Sequence, residues 1–536
     1  MVLEESDLDL LDFCYNISLG ATTWILKKMI ENIVIVGGGT AGWSTAHHLI
    51  NKINPETKIT VVATSEIPIM GVGESTTGKF NDLINLNGFL TNVNEKDFLK
   101  ETESTFKLGI KHTDWHTIGK SFYSPIGDNY ENLFNFPCKD YDNYRIYHIA
   151  TKKDYSKTFQ SKLMDQNRLH KSKQLKPYEN IDPPVAYHLD TYKVGQYLKK
   201  EALNTSNCKY VNGKVVDFKQ DKDGIVKYIK LENGKKIKGD LFIDCSGFTR
   251  VLIDKIEENK WVSYKDNLLV DSALNFNYKL EEDEEIKTYT HAWAQKYGWC
   301  WEIPTQTRMG CGYVFSSQYT NFDKAHDEIS KKMKRKIDVQ REIKFNTGRL
   351  EKFWCKNVLS TGLSSAFIEP LEATSIHATI MQVTHFIENY YKMSMNFKSD
   401  LLNQQYNSEM TQMWDNIRDF IIYHYQSPRK DSKFWIDSNR KERLSPRLKR
   451  LMQMWEHRMP REVDYINDKQ NNFYSIGNTL WYQIAIGMKL LDPKIAKQEL
   501  KDYNLYEETE KLYNEITEIE KIMPYMIKTN DYYKAL

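Results

Sequence analysis

The feature that most constrains this chain is a glycine-rich string placed directly after a short β-branched run. Asn32-Ile33-Val34-Ile35-Val36 leads into Gly37-Gly38-Gly39-Thr40-Ala41-Gly42-Trp43. A continuous apolar, β-branched run reads as a buried parallel strand. The residues that follow, to about Lys52, read as a helix, and residues 58–62 as a second strand, which is the spacing of a βαβ unit. In that setting GxGxxG is a dinucleotide cradle. Gly37 permits the tight turn, Gly39 lets a pyrophosphate approach the backbone, and Gly42 lets helix and strand pack closely. Thr40, Ala41 and Trp43 complete the turn, and the helix N-terminus faces the phosphates. One position departs from the pattern. The end of the second strand usually carries an acid for the adenosine ribose, and Ala63 stands there, leaving Ser65 or Glu66 as substitutes.

Far downstream, residues 239–247 (GDLFIDCSG) form another apolar run that ends in Asp and Gly. Two-part FAD domains return to the cofactor with such a strand, which tilts the choice from NAD to FAD. The expected fold is α/β: an FAD-binding Rossmann-type domain of the two-part, flavin-monooxygenase-like kind, followed by a mainly helical C-terminal region. Residues 1–29 read as an N-terminal extension, 30–385 as the FAD-binding domain, and 386–536 as a helical substrate-binding region. Residues 117–182 are polar, rich in Lys and Tyr and weakly periodic, and read as an irregular insertion. Strands are expected near 214–218, 271–278 and 310–315.

Composition narrows the partners. A net charge of +2, with 27% charged residues, argues against a dedicated nucleic-acid binder. No apolar run reaches the length of a membrane span, and the acidic N-terminus does not read as a signal peptide. Seven scattered cysteines without a CxxC suit a reducing cytoplasm. The 33 tyrosines and 12 tryptophans suit aromatic-lined pockets and ordinary cores equally.

The most specific string is Trp299-Cys300-Trp301-Glu302-Ile303-Pro304. On a strand, Trp299 and Trp301 share a face, and Pro304 ends the ladder. Alone, two such tryptophans would read as core. The string also fits WxWxIP, and the chain resembles the flavin-dependent halogenases of the tryptophan-halogenase family, as a divergent member. The resemblance runs from about residue 30 to the C-terminus. It includes NIVIVGGGTAGW (32–43), GVGES (71–75), FK-x-GIK (106–111), LFIDCSG (241–247), GYVFSS (312–317), GLSSAFIEPLEAT (362–374) and RDF-x3-HY (418–425).

The resemblance implies reduced FAD, O2 and a halide (chloride, bromide or iodide) as reactants, a small aromatic substrate, and a separate NAD(P)H-dependent flavin reductase. It places Glu74, Ser75, Val216, Leu363 and Ile376 against the flavin, and halide at Thr374 and Ser375. Of the motif residues Trp299, Trp301, Ile303 and Pro304, the two tryptophans would keep substrate away from the flavin. Lys107 would present the halogen of hypohalous acid, and Glu372 would take up the proton that the ring loses. Glu369 is the competing acid, with helix-end capping as its plainer role. Relatives usually show Ser and Gly where this chain has Ala373 and Ser375, so halide preference is open. Self-association is open too.

The histidines suggest no metal site: His112 and His116 are four apart, without an evident third ligand. The competing readings are an aromatic hydroxylase that reduces its own FAD, and a redox-sensing flavoprotein without catalysis. A second nicotinamide fingerprint is not evident. After an aromatic pair equivalent to Phe122-Tyr123, tryptophan-specific relatives place a histidine and, two residues on, a phenylalanine. Here Ser124 and Ile126 stand there, and a stacking tryptophan falls near Tyr474. The substrate is therefore expected not to be free tryptophan.

Overall fold

Strand β1 (Asn32–Val36) lies inside a six-stranded sheet, with β2 (Lys58–Ala63) on one side and the return strand Leu241–Asp244 on the other. The computed structural model describes residues 29–64, 74–81, 95–126, 141–153, 158–172, 185–393, 395–465 and 476–536. The extension at 1–28, Ser65, Glu66, Gly71, Gly73 and Tyr474 lie outside the described residues.

Both neighbours pair with β1 in parallel, with Ile33 opposite Leu241 and Ile59. Cys208–Asn212 extends the sheet beyond β2, and Val358–Ser360 lies beyond the return strand. The β-branched runs are buried on both sides, as a sheet covered by helices requires. Helix α1 (Thr40–Lys52) follows the glycine string and packs against the helix Thr191–Leu203 and against α2 (Thr374–Asn389). The glycine string thus lies at the carboxyl end of β1, which is where open α/β sheets bind ligands.

A second, seven-stranded sheet carries the tryptophan motif. Its central strands pair Gly298–Pro304 with Arg308–Phe315 and with Tyr289–Ala294. Tyr289–Ala294 pairs in parallel with Gly109–Thr113, which hairpins into Ser121–Pro125. A small three-stranded sheet lies beside it, with Ala186–Leu189 between Glu74–Ser75 and Thr105–Lys107. That pairing sets Ser75 and Thr105 both opposite His188.

Downstream of residue 386 the expected helices are present, led by α3 (Leu401–His424) and including α4 (Asn478–Met488). The reading of 117–182 as irregular is corrected. Its described residues include the strand Ser121–Pro125 and the helices Tyr141–Thr151 and Phe159–Asp165. The buried face of the first of these helices carries Tyr144, Tyr147 and His148, polar-tipped residues that mute a hydrophobic period.

Candidate active site

The cradle is built at the start of α1. Gly39 precedes the helix and no side chain caps it, so the first-turn N–H groups keep their donors. A Cβ on Gly39 would meet no protein atom within 4 Å. Its neighbours differ. Gly37 has φ +122°, and a Cβ there would lie 2.2 Å from the Cys245 carbonyl oxygen; one on Gly42 would lie 1.9 Å from that of Gly37. Gly37 and Gly42 thus serve the protein's own packing, and Gly39 leaves room for a pyrophosphate. Thr40 Oγ1 is buried without a partner beside it. These residues fit FAD.

The turn Gly362–Ser364 closes on α1: a Cβ on Gly362 would lie 2.6 Å from the Ala41 Cβ. Leu363 is half-buried in that turn, and Ile376 is buried in the first turn of α2. Trp43 is buried and packs toward Tyr210, whereas Val216 is 46% exposed on the strand Val215–Gln220. Glu74 is half-buried in its strand, and burial pushes its pKa up to about 7.

Lys107 is buried at the end of its strand. Its ammonium donates to Ser75 Oγ at 2.6 Å and to the Thr76 carbonyl at 2.9 Å. Burial lowers its pKa to about 8, and the nearby Glu372 carboxylate works the other way. A chain of buried polar groups continues from it. Ser75 Oγ lies 3.0 Å from Thr290 Oγ1, which lies 3.1 Å from His188 Nε2; His188 Nδ1 lies 3.1 Å from Thr105 Oγ1. The Thr105 hydroxyl donates to the Pro304 carbonyl at 2.7 Å. The lysine is thereby tied to the last residue of the tryptophan motif. Burial, then the Lys107 charge, holds His188 well below the ordinary histidine pKa, so it serves the chain as a neutral ring.

Trp299 and Trp301 are buried with ring centroids 6.1 Å apart, and Ile303 and Pro304 are buried beyond them. Trp301 lies on Gly312, where a Cβ would come within 2.0 Å of the ring. The Trp299 indole and the Tyr425 hydroxyl both donate to Glu369 Oε2 at 2.6 Å. Glu369 is therefore a buried anchor and not a helix cap; burial pushes its pKa up to about 7 against those two bonds.

Glu372 stands apart from it. Its Oε1 lies 2.8 Å from His424 Nε2 and 3.6 Å from His112 Nε2. His116, four residues beyond His112, bonds Thr117, whereas His112 lies with Glu372 and His424. One residue on, Ala373 takes φ +58° and leads into α2 with no side-chain cap. The first-turn N–H groups, the half-buried Ser375 and the buried, unpartnered Thr374 Oγ1 form a small donor set suited to an anion.

A family model described as tryptophan halogenase matches residues 32–501. The chain belongs to the tryptophan halogenase family. It is a flavin-dependent halogenase, an oxidoreductase. Tryptophan 7-halogenase RebH of Lentzea aerocolonigenes is 30% identical, over 88% of this chain and 92% of that protein. Among solved structures, Tar14, a tryptophan C-6 flavin-dependent chlorinase from taromycin biosynthesis, superposes with a TM-score of 0.82 at 27% identity, over 94% of this chain and 99% of that one. BrvH, a flavin-dependent halogenase from Brevundimonas sp. BAL3, superposes with a TM-score of 0.79 at 25% identity, over 94% and 99%.

Thr290, His188, His424 and Gln483, which make buried polar contacts in the halogenase, stand in no local pattern that assigns them a role. His424 stood inside a family string, and that was the one signal available for it. Among the described residues, no helix is long and apolar enough to cross a membrane.

Proposed function

We propose that this halogenase uses Lys107 to present an oxidised halogen to an aromatic substrate other than free tryptophan, with Glu372 as the proton acceptor. The observation that supports it best is a buried lysine and a buried carboxylate held in each other's field, on elements distinct from the α1 cradle. Gly37, Gly39, Thr40, Ala41, Gly42 and Trp43, with Glu74, Ser75, Val216, Leu363 and Ile376, would hold FAD, and Thr374 and Ser375 would hold the halide. The cofactor, reduced by a separate reductase, would supply hypohalous acid from O2 and that halide.

Lys107 can act in either protonation state. The ammonium donates a hydrogen bond to hypohalous acid and raises its electrophilicity; the neutral amine exchanges an N–H for N–halogen and releases water. A lysine poised near pH 8 has both forms within reach of neutrality. Ser75 and the Thr76 carbonyl fix the direction of the amine. The substrate carbon attacks the halogen, and Glu372 takes the proton from that carbon as the ring regains aromaticity. His424 holds the carboxylate in place.

Chemically reduced FAD, oxygen and an aromatic panel, with and without bromide, test the reading. Halide-dependent organohalide is the expected product. Oxygenated product in the absence of halide would instead mean a hydroxylase, and no product under any condition a redox sensor.

A further inference from the structure

His112 is fully buried, yet neither ring nitrogen has a hydrogen-bond partner. Its Nε2 faces Glu372 Oε1 at 3.6 Å, and the same oxygen lies 2.8 Å from His424 Nε2. One ligand atom from each of the three residues falls within 4.8 Å of the others. We propose that His112, Glu372 and His424 form a binding site for a divalent transition metal of the zinc type, and that an ion there holds back halogenation by engaging Glu372.

The donor chemistry fits. Two imidazoles and one carboxylate, with a fourth position open to water, are a recurrent ligand set for Zn2+. Bonds of about 2.0–2.1 Å set the ligand atoms of a tetrahedral ion roughly 3.3 Å apart. The separations of 2.8 Å and 3.6 Å straddle that value.

The supporting contacts fit as well. His424 Nδ1 lies 2.8 Å from the Phe420 carbonyl, an outer contact that leaves Nε2 to point inward as a ligand. His424 thus stands between two acceptors, the Phe420 carbonyl and the Glu372 carboxyl. A metal ion bound to Nε2 would take the place of its contact with Glu372 and keep the one to Phe420. His112 is held by stacking on Phe122 with centroids 4.7 Å apart, and Phe122 is seated on Gly487, where a Cβ would come within 2.1 Å of the ring. The Lys107 charge opposes the ion, so moderate rather than extreme affinity is expected.

The inhibitory half rests on Glu372 being the proton acceptor; binding does not. The full-length protein, stripped with chelator and free of FAD, would be titrated with Co2+ and followed by its visible d–d absorption. The expected result is one strongly coloured equivalent, displaced by Zn2+. His112→Phe should weaken binding by more than the roughly 10- to 100-fold typical for loss of an outer-shell partner. His112→Gln serves if the first variant fails to fold, and His326→Gln, at a solvent-accessible histidine, should bind like the parent. Equal Co2+ binding in the parent and the His112 variants, or none in the parent, overturns the site. Halogenation in chelator-containing buffer separates the two readings: its absence there counts against the proposed function alone. Full parental turnover at a Zn2+ concentration that saturates the site overturns the inhibition.

Discussion

The indole N–H of Trp299 donates to Oε2 of Glu369 at 2.6 Å, and this bond separates the work of the two acids in the Glu369-Pro370-Leu371-Glu372 string. Glu369 is spent on Trp299 and Tyr425, whereas Glu372 faces His424, His112 and the field of Lys107. Glu372→Gln is therefore expected to cut turnover steeply with little change in melting temperature or FAD affinity. Glu369→Gln should show the reverse weighting, with a stability loss of about 1–3 kcal/mol from disturbing a buried hydrogen-bond pair. Steady-state rates and thermal melts on both variants decide it; a larger rate loss in Glu369→Gln would reassign the acid.

The cradle gives a prediction that separates folding from binding. A Cβ at Gly39 would meet no protein atom within 4 Å, so Gly39→Ala should melt like the parent when free of cofactor, yet bind FAD more weakly. Gly37→Ala should lower the melting temperature itself, because φ +122° and the Cys245 carbonyl both oppose a Cβ. Calorimetry without FAD and flavin fluorescence titration read the two effects.

Lys107→Ala is expected to abolish organic halogenation while reduced flavin is still consumed by oxygen at a near-parental rate, as the role proposed for the lysine requires. In the parent, the single-turnover pH profile should show an inflection near 8. The sign follows from the causes. Burial disfavours the ammonium and the Glu372 charge favours it, so Glu372→Gln should move that inflection to lower pH. Ser75→Ala removes the hydroxyl that accepts from the ammonium and should move it the same way. A shift to higher pH in either variant would contradict the assignment.

At the start of α2, Thr374 Oγ1 is buried without a partner and the first turn has no cap. Thr374→Val keeps the shape and removes the hydroxyl. It should raise the KM for halide several-fold and leave FAD affinity unchanged, which halide titrations of initial rate can measure.

The strand–glycine–helix unit was legible because periodicity and glycine placement report backbone geometry directly. The return strand at 241–244 was legible for the same reason. The side-chain relationships were not. Thr290, His188 and Thr105 connect Lys107 to Pro304 only because the small sheet sets Ser75 and Thr105 opposite His188. No local pattern in the chain encodes that pairing. His112 lies on the strand Gly109–Thr113 and His116 in the turn beyond it, so closeness in sequence does not bring the two rings together. The true neighbours of His112 come from the turn before α2 and from the end of α3. Glu369 reads as a competing acid or a cap because its partners, Trp299 and Tyr425, are remote in sequence.

The last prediction concerns substrate. At the position where tryptophan-specific relatives place a histidine, Ser124 is buried and its hydroxyl donates to Gln483 Oε1 at 2.7 Å, while the Gln483 amide donates to the Pro125 carbonyl at 3.1 Å. That stretch is thus bound to α4 instead of offering a flat ring. Phe122 is engaged too, with one face stacked on His112 and Gly487 closing against its ring. The Tyr123 hydroxyl donates to Asp165. An indole entering here finds fewer open aromatic faces. Stacking is worth about 0.5–1.5 kcal/mol per pair beyond burial, so two lost walls cost roughly one to two powers of ten in affinity. Free tryptophan is expected to be a poor substrate beside simple indoles, phenols and anilines, compared at equal concentration by mass spectrometry. Ser124→His with Ile126→Phe should improve tryptophan turnover relative to the parent. Efficient halogenation of tryptophan at a single position, above every other compound in the panel, would show that the pocket is built for it after all.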